Sequence, residues 1–421
     1  MTNGRCEPGD HGNSVKALPV SLPGRALLSR SPTGRRVTLW PKVGIVLAVF
    51  VLVEAGCFAV GSAGLMVRFW PYHCLECAPS EAPVGALPLS RDYFTASERR
   101  GVDIAPSRPV TSHQMNDHAY PIWSNELGCF DAPSDGVSEY IYLAGDSFAW
   151  GYAPWTRTIG ARLERLVDTR VLKCAVPHTG QIHQFDKMRE IVDRLGIPPT
   201  TLIVAFTPND IANDFTHPHT VVVNGYLVDQ VHLFLGNGAW VPRWTPLDEL
   251  EHEVRKREPA KAPLSTGERL AFEVSKVSLS VSVAFNAWKA RTTPPIRWDP
   301  SLGMPIYVRE LWERSGHLWY SGSPYVLRNR AALRDFAEFS RRSGARLLLV
   351  LIPELSHAQQ PGYFRELLAY ADSLGVETLD LGREFARRHL DASALYNFGD
   401  PHLNSRGHQA VAEAIAASLR R

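Results

Sequence analysis

The sequence predicts an α/β protein, a three-layer α/β/α sandwich on a mostly parallel sheet, preceded by one transmembrane helix. Three observations carry this. Apolar runs at 139–145, 200–206, 345–353 and 376–381 are nearly continuous, as strands covered on both faces require. Segments with helical spacing lie between them. Ahead of all of these, residues 43–67 form one long apolar stretch whose only charge is Glu54.

Taken in order, residues 1–42 hold seven basic side chains against two acidic ones and are rich in Pro, Gly and Ser. Without apolar periodicity they read as a disordered tail. The stretch 43–67 exceeds the roughly 20 residues needed to cross a bilayer. It is also longer than the apolar region of a cleaved signal peptide, about 7 to 15 residues. The basic flank then places the tail in the cytoplasm and the rest of the chain on the far side. Glu54 is assigned no chemistry.

Residues 68–135 are rich in Pro, Ser and aromatic side chains and read as an extended lead-in with short strands. From 136 to 421 strands and helices alternate, which implies right-handed βαβ units. Helical stripes are carried by Ile159, Leu163, Leu166 and Val167, by Ala331, Leu333, Phe336 and Phe339, by Phe364, Leu367, Leu368 and Ala371, and by Val411, Ile415 and Leu419. The alternation is interrupted at about 215–325, an insertion that opens with a hairpin signal at Asn224-Gly225. Four cysteines, Cys74, Cys77, Cys129 and Cys174, lie beyond the apolar stretch. In an oxidising compartment they allow two disulfides, of which Cys129 to Cys174 is the favoured one.

Composition excludes some partners. The 421 residues carry 45 Lys plus Arg against 43 Asp plus Glu, so a net charge of +2 gives no footing for a nucleic acid. His217-Pro218-His219 has metal-compatible spacing but lacks a third ligand. No metal or cofactor is expected.

Chemistry points to the strand ends. Ser147 follows Gly145-Asp146 where the first strand must stop, with a helix expected from near Trp155. Three other stretches fall at strand ends in the same pattern. They bring Gly180 in "VLKCAVPHTGQIHQ", Asn209 and Asp210 in "AFTPNDIAND", and Asp400 and His402 in "NFGDPHLNSRGHQAVAEAI". In open parallel sheets the carboxyl ends of the strands are where ligands bind.

These four blocks, in this order, resemble the SGNH/GDSL hydrolase superfamily over roughly 136–214 and 343–421. The resemblance implies a flavodoxin-like sheet, Ser147 as nucleophile, His402 as base and Asp400 as its acid. It implies an oxyanion hole from the Ser147 N–H, Gly180 and Asn209. A serine hydroxyl needs such a base to accept its proton, and an acid to hold the imidazole tautomer. The sequence departs from the pattern in two places. Asp400-Pro401-His402 replaces the commoner Asp-x-x-His, with Gly399 at the usual acid position; Asp-x-His resembles membrane-associated relatives akin to polysaccharide O-acetyltransferases. Lys173 and His178 stand where the second block usually has Asn and its first Gly.

Asp146 is read as fixing the turn, because a side chain adjacent to the serine is poorly placed to orient a base. His178 and His183 are given no direct role, and His408 is read as a surface or packing residue. The leading expectation is a membrane-anchored serine esterase that cleaves an O-acyl ester, a carbohydrate ester being one candidate class. One alternative is an O-acyltransferase acting on an exopolysaccharide or cell-wall glycan, whose sugars could stack on Trp240, Trp244, Trp288, Trp298, Trp312 and Trp319. Another is an inactive glycan-binding envelope component. The expected location is a bacterial inner membrane, single-pass, with the site periplasmic or extracellular.

Overall fold

A computed structural model describes residues 39–62, 92–115, 118–236, 239–257, 266–267, 270, 274, 304–305, 326–355, 362–397 and 402–421. Cys74, Cys77, Asp400 and Trp288, Trp298, Trp312 and Trp319 lie outside them. The chain divides into two compact units at residue 51.

The first helix, α1 (Leu39–Ser62), runs across that division. Side chains are described for 44–56, where Ile45, Val46, Leu47, Val49, Phe50, Val51, Leu52 and Val53 are all exposed. Thirteen residues make about 20 Å of helix. Among the described residues no helix is long and apolar enough to cross a membrane. The expected span 43–67 extends past Ser62, outside them.

In the second unit, two short antiparallel pairs come first: β1 (Phe94–Ser97) with β2 (Gly101–Ile104), and β3 (Thr111–Met115) with β4 (His118–Ile122). The central sheet is built from β5 (Ile141–Ala144), β6 (Val171–Lys173), β7 (Thr201–Phe206), β13 (Arg346–Leu351) and β14 (Glu377–Asp380), in the order β14-β13-β7-β5-β6. Every pairing in it is parallel. Counted along the sheet's own strands the order is 2-1-3-4-5, so the chain reverses its direction of travel between β5 and β7.

Period-2 alternation divides the core cleanly. Ile141, Leu143, Ile203, Ala205, Leu348 and Val350 face one layer, while Tyr142, Ala144, Leu202, Val204, Leu347 and Leu349 face the other. The first layer is completed by α3 (Ile159–Val167), α9 (Leu381–Arg387) and α10 (Ser405–Leu419), through Ile159, Leu163, Phe385, Val411 and Ile415. The second is completed by α4 (Gln181–Leu195), α7 (Leu327–Ser343) and α8 (Arg365–Ser373), through Met188, Ile191, Leu333, Phe336 and Leu367. These are the expected stripes, except that Leu166 on α3 is 37% exposed and Ala331 on α7 is half-buried and outside the core. Gly196 and Gly344 end α4 and α7 in the left-handed conformation that glycine adopts without a Cβ clash.

The helical turn expected near Trp155 is present at Trp155–Arg157, and a further short helix precedes it. Helix α2 (Ser147–Trp150) starts at Ser147 itself, and α5 (Asp210–Thr216) starts directly after Asn209. Between α5 and α7 lie β8 (Thr220–Val223) and β9 (Tyr226–Asp229), then β10 (Val231–Gly236), β11 (Ala239–Trp244), α6 (Leu247–Arg257) and β12 (Met304–Pro305). The β8–β9 turn is Asn224-Gly225 with positive φ at both residues, the hairpin geometry that Asn-Gly favours.

Lead-in and sheet are tied together by buried charge. Lys187 on α4 reaches Asp103 on β2 and donates to the Gly128 carbonyl at 2.8 Å, while Arg100 pairs with Asp103 and, at 2.7 Å, with Glu190. The covalent tie is a Cys129–Cys174 disulfide, buried beside β6. It closes a separation of 45 residues, for which chain entropy suggests about 4 kcal/mol of stabilisation. Denaturant unfolding with and without reductant should show a loss of that order, and an unchanged midpoint would mean that the packing alone holds the segment.

Candidate active site

Ser147 and His402 are 255 residues apart in sequence, yet Ser147 Oγ lies 2.8 Å from His402 Nε2. With the imidazole proton on Nδ1, Nε2 accepts the serine proton. The hydroxyl can therefore be deprotonated as it attacks an electrophile.

Each partner is held by a different local device. At the end of β5 the chain must turn sharply, and Gly145 permits it: a Cβ there would sit 2.5 Å from the Ala149 Cβ. Asp146 then caps α2, its Oδ1 accepting from Phe148 N at 2.9 Å. Its Oδ2 accepts from Asn209 Nδ2 at 2.9 Å and Thr207 Oγ1 at 3.0 Å, which ties the Ser147 turn to the end of β7. Ser147 Oγ is 3.5 Å from Asp146 Oδ2, a distance at which little hydrogen bonding remains. Asp146 thus fixes the turn.

His402 is fixed from both sides. Its ring packs between Tyr152, centroids 4.4 Å apart, and Phe148, 4.8 Å apart. Its carbonyl accepts from Asn397 N at 2.8 Å. Two residues on, Asn404 caps α10 by accepting from Arg406 N and Gly407 N, while its amide donates to the carbonyls of Ala394 and Tyr396. Gly407 allows the helix to press on the loop, because a Cβ there would meet the Leu395 oxygen at 2.1 Å.

Gly180 and Asn209 come to the same sheet end. The loop after β6 continues the ladder beside β5, with Val176 N donating to Gly145 O at 3.0 Å, and delivers Gly180 to the start of α4. A Cβ on Gly180 would lie 2.3 Å from Asp214 Oδ1, so only glycine fits. Asn209 precedes α5 with its amide directed at Asp146. Asp400, the fifth expected participant, lies outside the described residues. Among the described residues no group of three or more His, Cys, Asp or Glu side chains is placed to hold a metal.

Beneath these loops is a buried polar network. Asp210 accepts from Thr207 N and Gln181 Nε2, each at 2.7 Å; Asn329 Nδ2 reaches Gln181 and donates to Asp214 at 2.7 Å; Asp214 accepts from Ile182 N at 2.9 Å. Burial pushes the Asp214 carboxyl up to about 7, and burial together with nearby Asp146 raises Asp210 well above the carboxylate range.

At the end of α2, Lys173 is buried and donates to the Trp150 carbonyl at 2.7 Å, its ammonium 4.3 Å from the Phe130 ring. Burial lowers it to about 7. It is a strut under α2. His408, expected on the surface or in packing, is 1% exposed against Gly151, with neither ring nitrogen hydrogen-bonded among the described residues. Burial, then Arg162 and Lys173, lower it to about 3, so it is neutral at physiological pH.

Sequence reasoning missed the supports: Thr207, Asn397, Asn404, Gly407 and Tyr152. Asn404 carried a readable signal, an Asn directly before a helix. The others have none, since their partners are distant in sequence.

No family model matches the sequence, and no curated protein does. Solved structures similar to it include a catalytic mutant of the acetylxylan esterase Axe2 from Geobacillus stearothermophilus, at 11% identity over 68% of this chain and 95% of that one, TM-score 0.34. A structure named TesA matches at 11% identity over 67% and 98%, TM-score 0.33. A carbohydrate esterase family 2 enzyme from Corynascus thermopiles (Myceliophthora fergusii) matches at 10% identity over 72% and 71%, TM-score 0.31. At these identities and TM-scores the likenesses carry no weight for the activity of this chain.

Two predictions follow from the supports. Gly407→Ala should lower stability by about 1 to 3 kcal/mol, the cost of overpacking, and displace His402; an unchanged unfolding midpoint would show that the loop yields. For Asp214, the folded pKa of about 7 lies above the ordinary 3.8. The native state therefore binds more protons than the unfolded one between those values, and this contribution, on the order of 4 kcal/mol, is present at low pH and lost as pH rises towards 7. The amide in Asp214→Asn stays neutral at every pH. Relative to native protein, this variant should gain stability between pH 4 and pH 8, measured by urea unfolding; a constant difference would mean that Asp214 is ionised throughout.

Proposed function

We propose that the protein is a serine esterase of the SGNH/GDSL type that cleaves an O-acyl ester through an acyl-Ser147 intermediate. The 2.8 Å contact between Ser147 Oγ and His402 Nε2 carries the reading. The order of the four motif blocks supports it.

In this mechanism His402 takes the Ser147 proton as Oγ attacks the ester carbonyl, then returns it to the departing alcohol. A water follows the same route in reverse and releases the acid. The Ser147 and Gly180 N–H groups and the Asn209 amide stabilise the oxyanion. The reading is supported at Asn209 by its amide, which gives one proton to Asp146 and has a second to give. Asp400, by resemblance, orients His402.

Transfer to a sugar hydroxyl instead of water is the second reading. It is favoured by Trp244, 51% exposed on β11 of the insertion, as a platform on which a sugar ring can stack. Anchoring of the site outside a bacterial inner membrane is part of the proposal. It is supported by the exposed apolar side chains of α1 and the basic tail before it.

Ser147→Ala should abolish aryl acetate hydrolysis by the full chain and its covalent labelling by a fluorophosphonate. Asn209→Ala should lower kcat by about 10²- to 10³-fold, the cost of one oxyanion donor. Retained turnover in Ser147→Ala would overturn the reading. Mass spectrometry with added oligosaccharide acceptors separates transfer from hydrolysis.

A further inference from the structure

His178 stands in the loop between β6 and Gly180 with a φ of 61°, in the left-handed region that glycine enters without cost and few other residues do. A side chain kept at such a position calls for a reason. Its Nδ1 faces Asp229 Oδ1 at 3.4 Å, an ion pair between the loop and β9 of the insertion. Asp229 is itself on a supported hairpin: Asp92 N donates to Gly225 O and Gln230 N to His219 O, both at 2.7 Å. The His178 side chain is 39% exposed.

Loop and nucleophile are neighbours. Two residues before His178, Val176 N donates to Gly145 O, and two residues after it comes Gly180. Among the described residues, the charged groups acting on the ring are Asp229 on β9 and Asp146 on the nucleophile turn. Burial works against a charged ring, but Asp229 and then Asp146 outweigh it, so His178 titrates above the usual histidine value. With Nδ1–H turned to Asp229, a charged ring has Nε2–H left to donate.

We propose that His178 and Asp229 form a second His–Asp pair at the Ser147 site, in which His178 presents its Nε2–H to an oxygen of the ester substrate. The pair makes the β8–β9 hairpin part of the substrate-binding wall. This inference rests on the esterase reading.

The test uses the full chain with an aryl acetate as substrate and a fluorophosphonate as probe of Ser147. Glycine accepts the backbone conformation, so His178→Gly should keep or raise the unfolding midpoint and still label at Ser147, while kcat/KM falls tenfold or more. Asn also tolerates positive φ and carries an amide donor, so His178→Asn should recover most of the loss. In Asp229→Asn the ring loses its counter-charge, and the alkaline decline of kcat/KM should move to lower pH. A kcat/KM for His178→Gly within twofold of native overturns the proposal, as does an equal loss in His178→Gly and His178→Asn, which would mark a purely structural side chain. If native protein fails to label at Ser147, the esterase reading falls and this inference with it; normal labelling with no effect of His178→Gly overturns this inference alone.

Discussion

The Asp146 carboxylate is the contact on which the rest of the site depends. Buried completely, it accepts from Phe148 N, Asn209 Nδ2 and Thr207 Oγ1. A buried carboxylate is costly unless its lone pairs are filled, so these three donors are drawn to one point. Two of them belong to β7's end and one to the nucleophile turn. The same bonds that satisfy the charge therefore set the spacing between Ser147 and Asn209, on adjacent strands at the place where the chain reverses direction across the sheet.

His402 is delivered by a different logic. It comes just before Leu403, which bridges to Tyr396, and a residue outside the main sheet holds position only if the backbone around it is bonded to something rigid. Asn397 and Asn404 provide this on either side, and α10 packs on the loop through Gly407. The rings of Phe148 and Tyr152 come from the nucleophile side. Ser147 and His402 are thereby parts of one packed body, although nearly the whole domain separates them in sequence.

Around the site the protein buries ionisable groups in neutral or paired forms. Asp214 and Asp210 are raised by burial, and His408 and Lys173 are lowered by it. Such groups make the stability of the fold depend on pH. The position of His178, strained in its backbone and paired to the insertion, fits a site whose wall is assembled from more than one segment.

The sequence by itself determined the sheet and the motif blocks. The four long apolar runs are strands in the structure, although in β14 only Leu379 is buried, and the helical stripes face the core save at Leu166 and Ala331, because apolar runs and 3.6-residue periodicity are local properties of the chain. Ser147, Gly180, Asn209 and His402 were legible as polar or small residues where strands or loops must end. Tertiary structure alone decided the strand order, the short helix at Ser147 ahead of the one near Trp155, and the depth at which His408 is buried. It also decided the partners of Asp146, Thr207 and His178. Those outcomes depend on which distant groups are left to satisfy a buried charge or fill a gap, and no local pattern in a sequence records that.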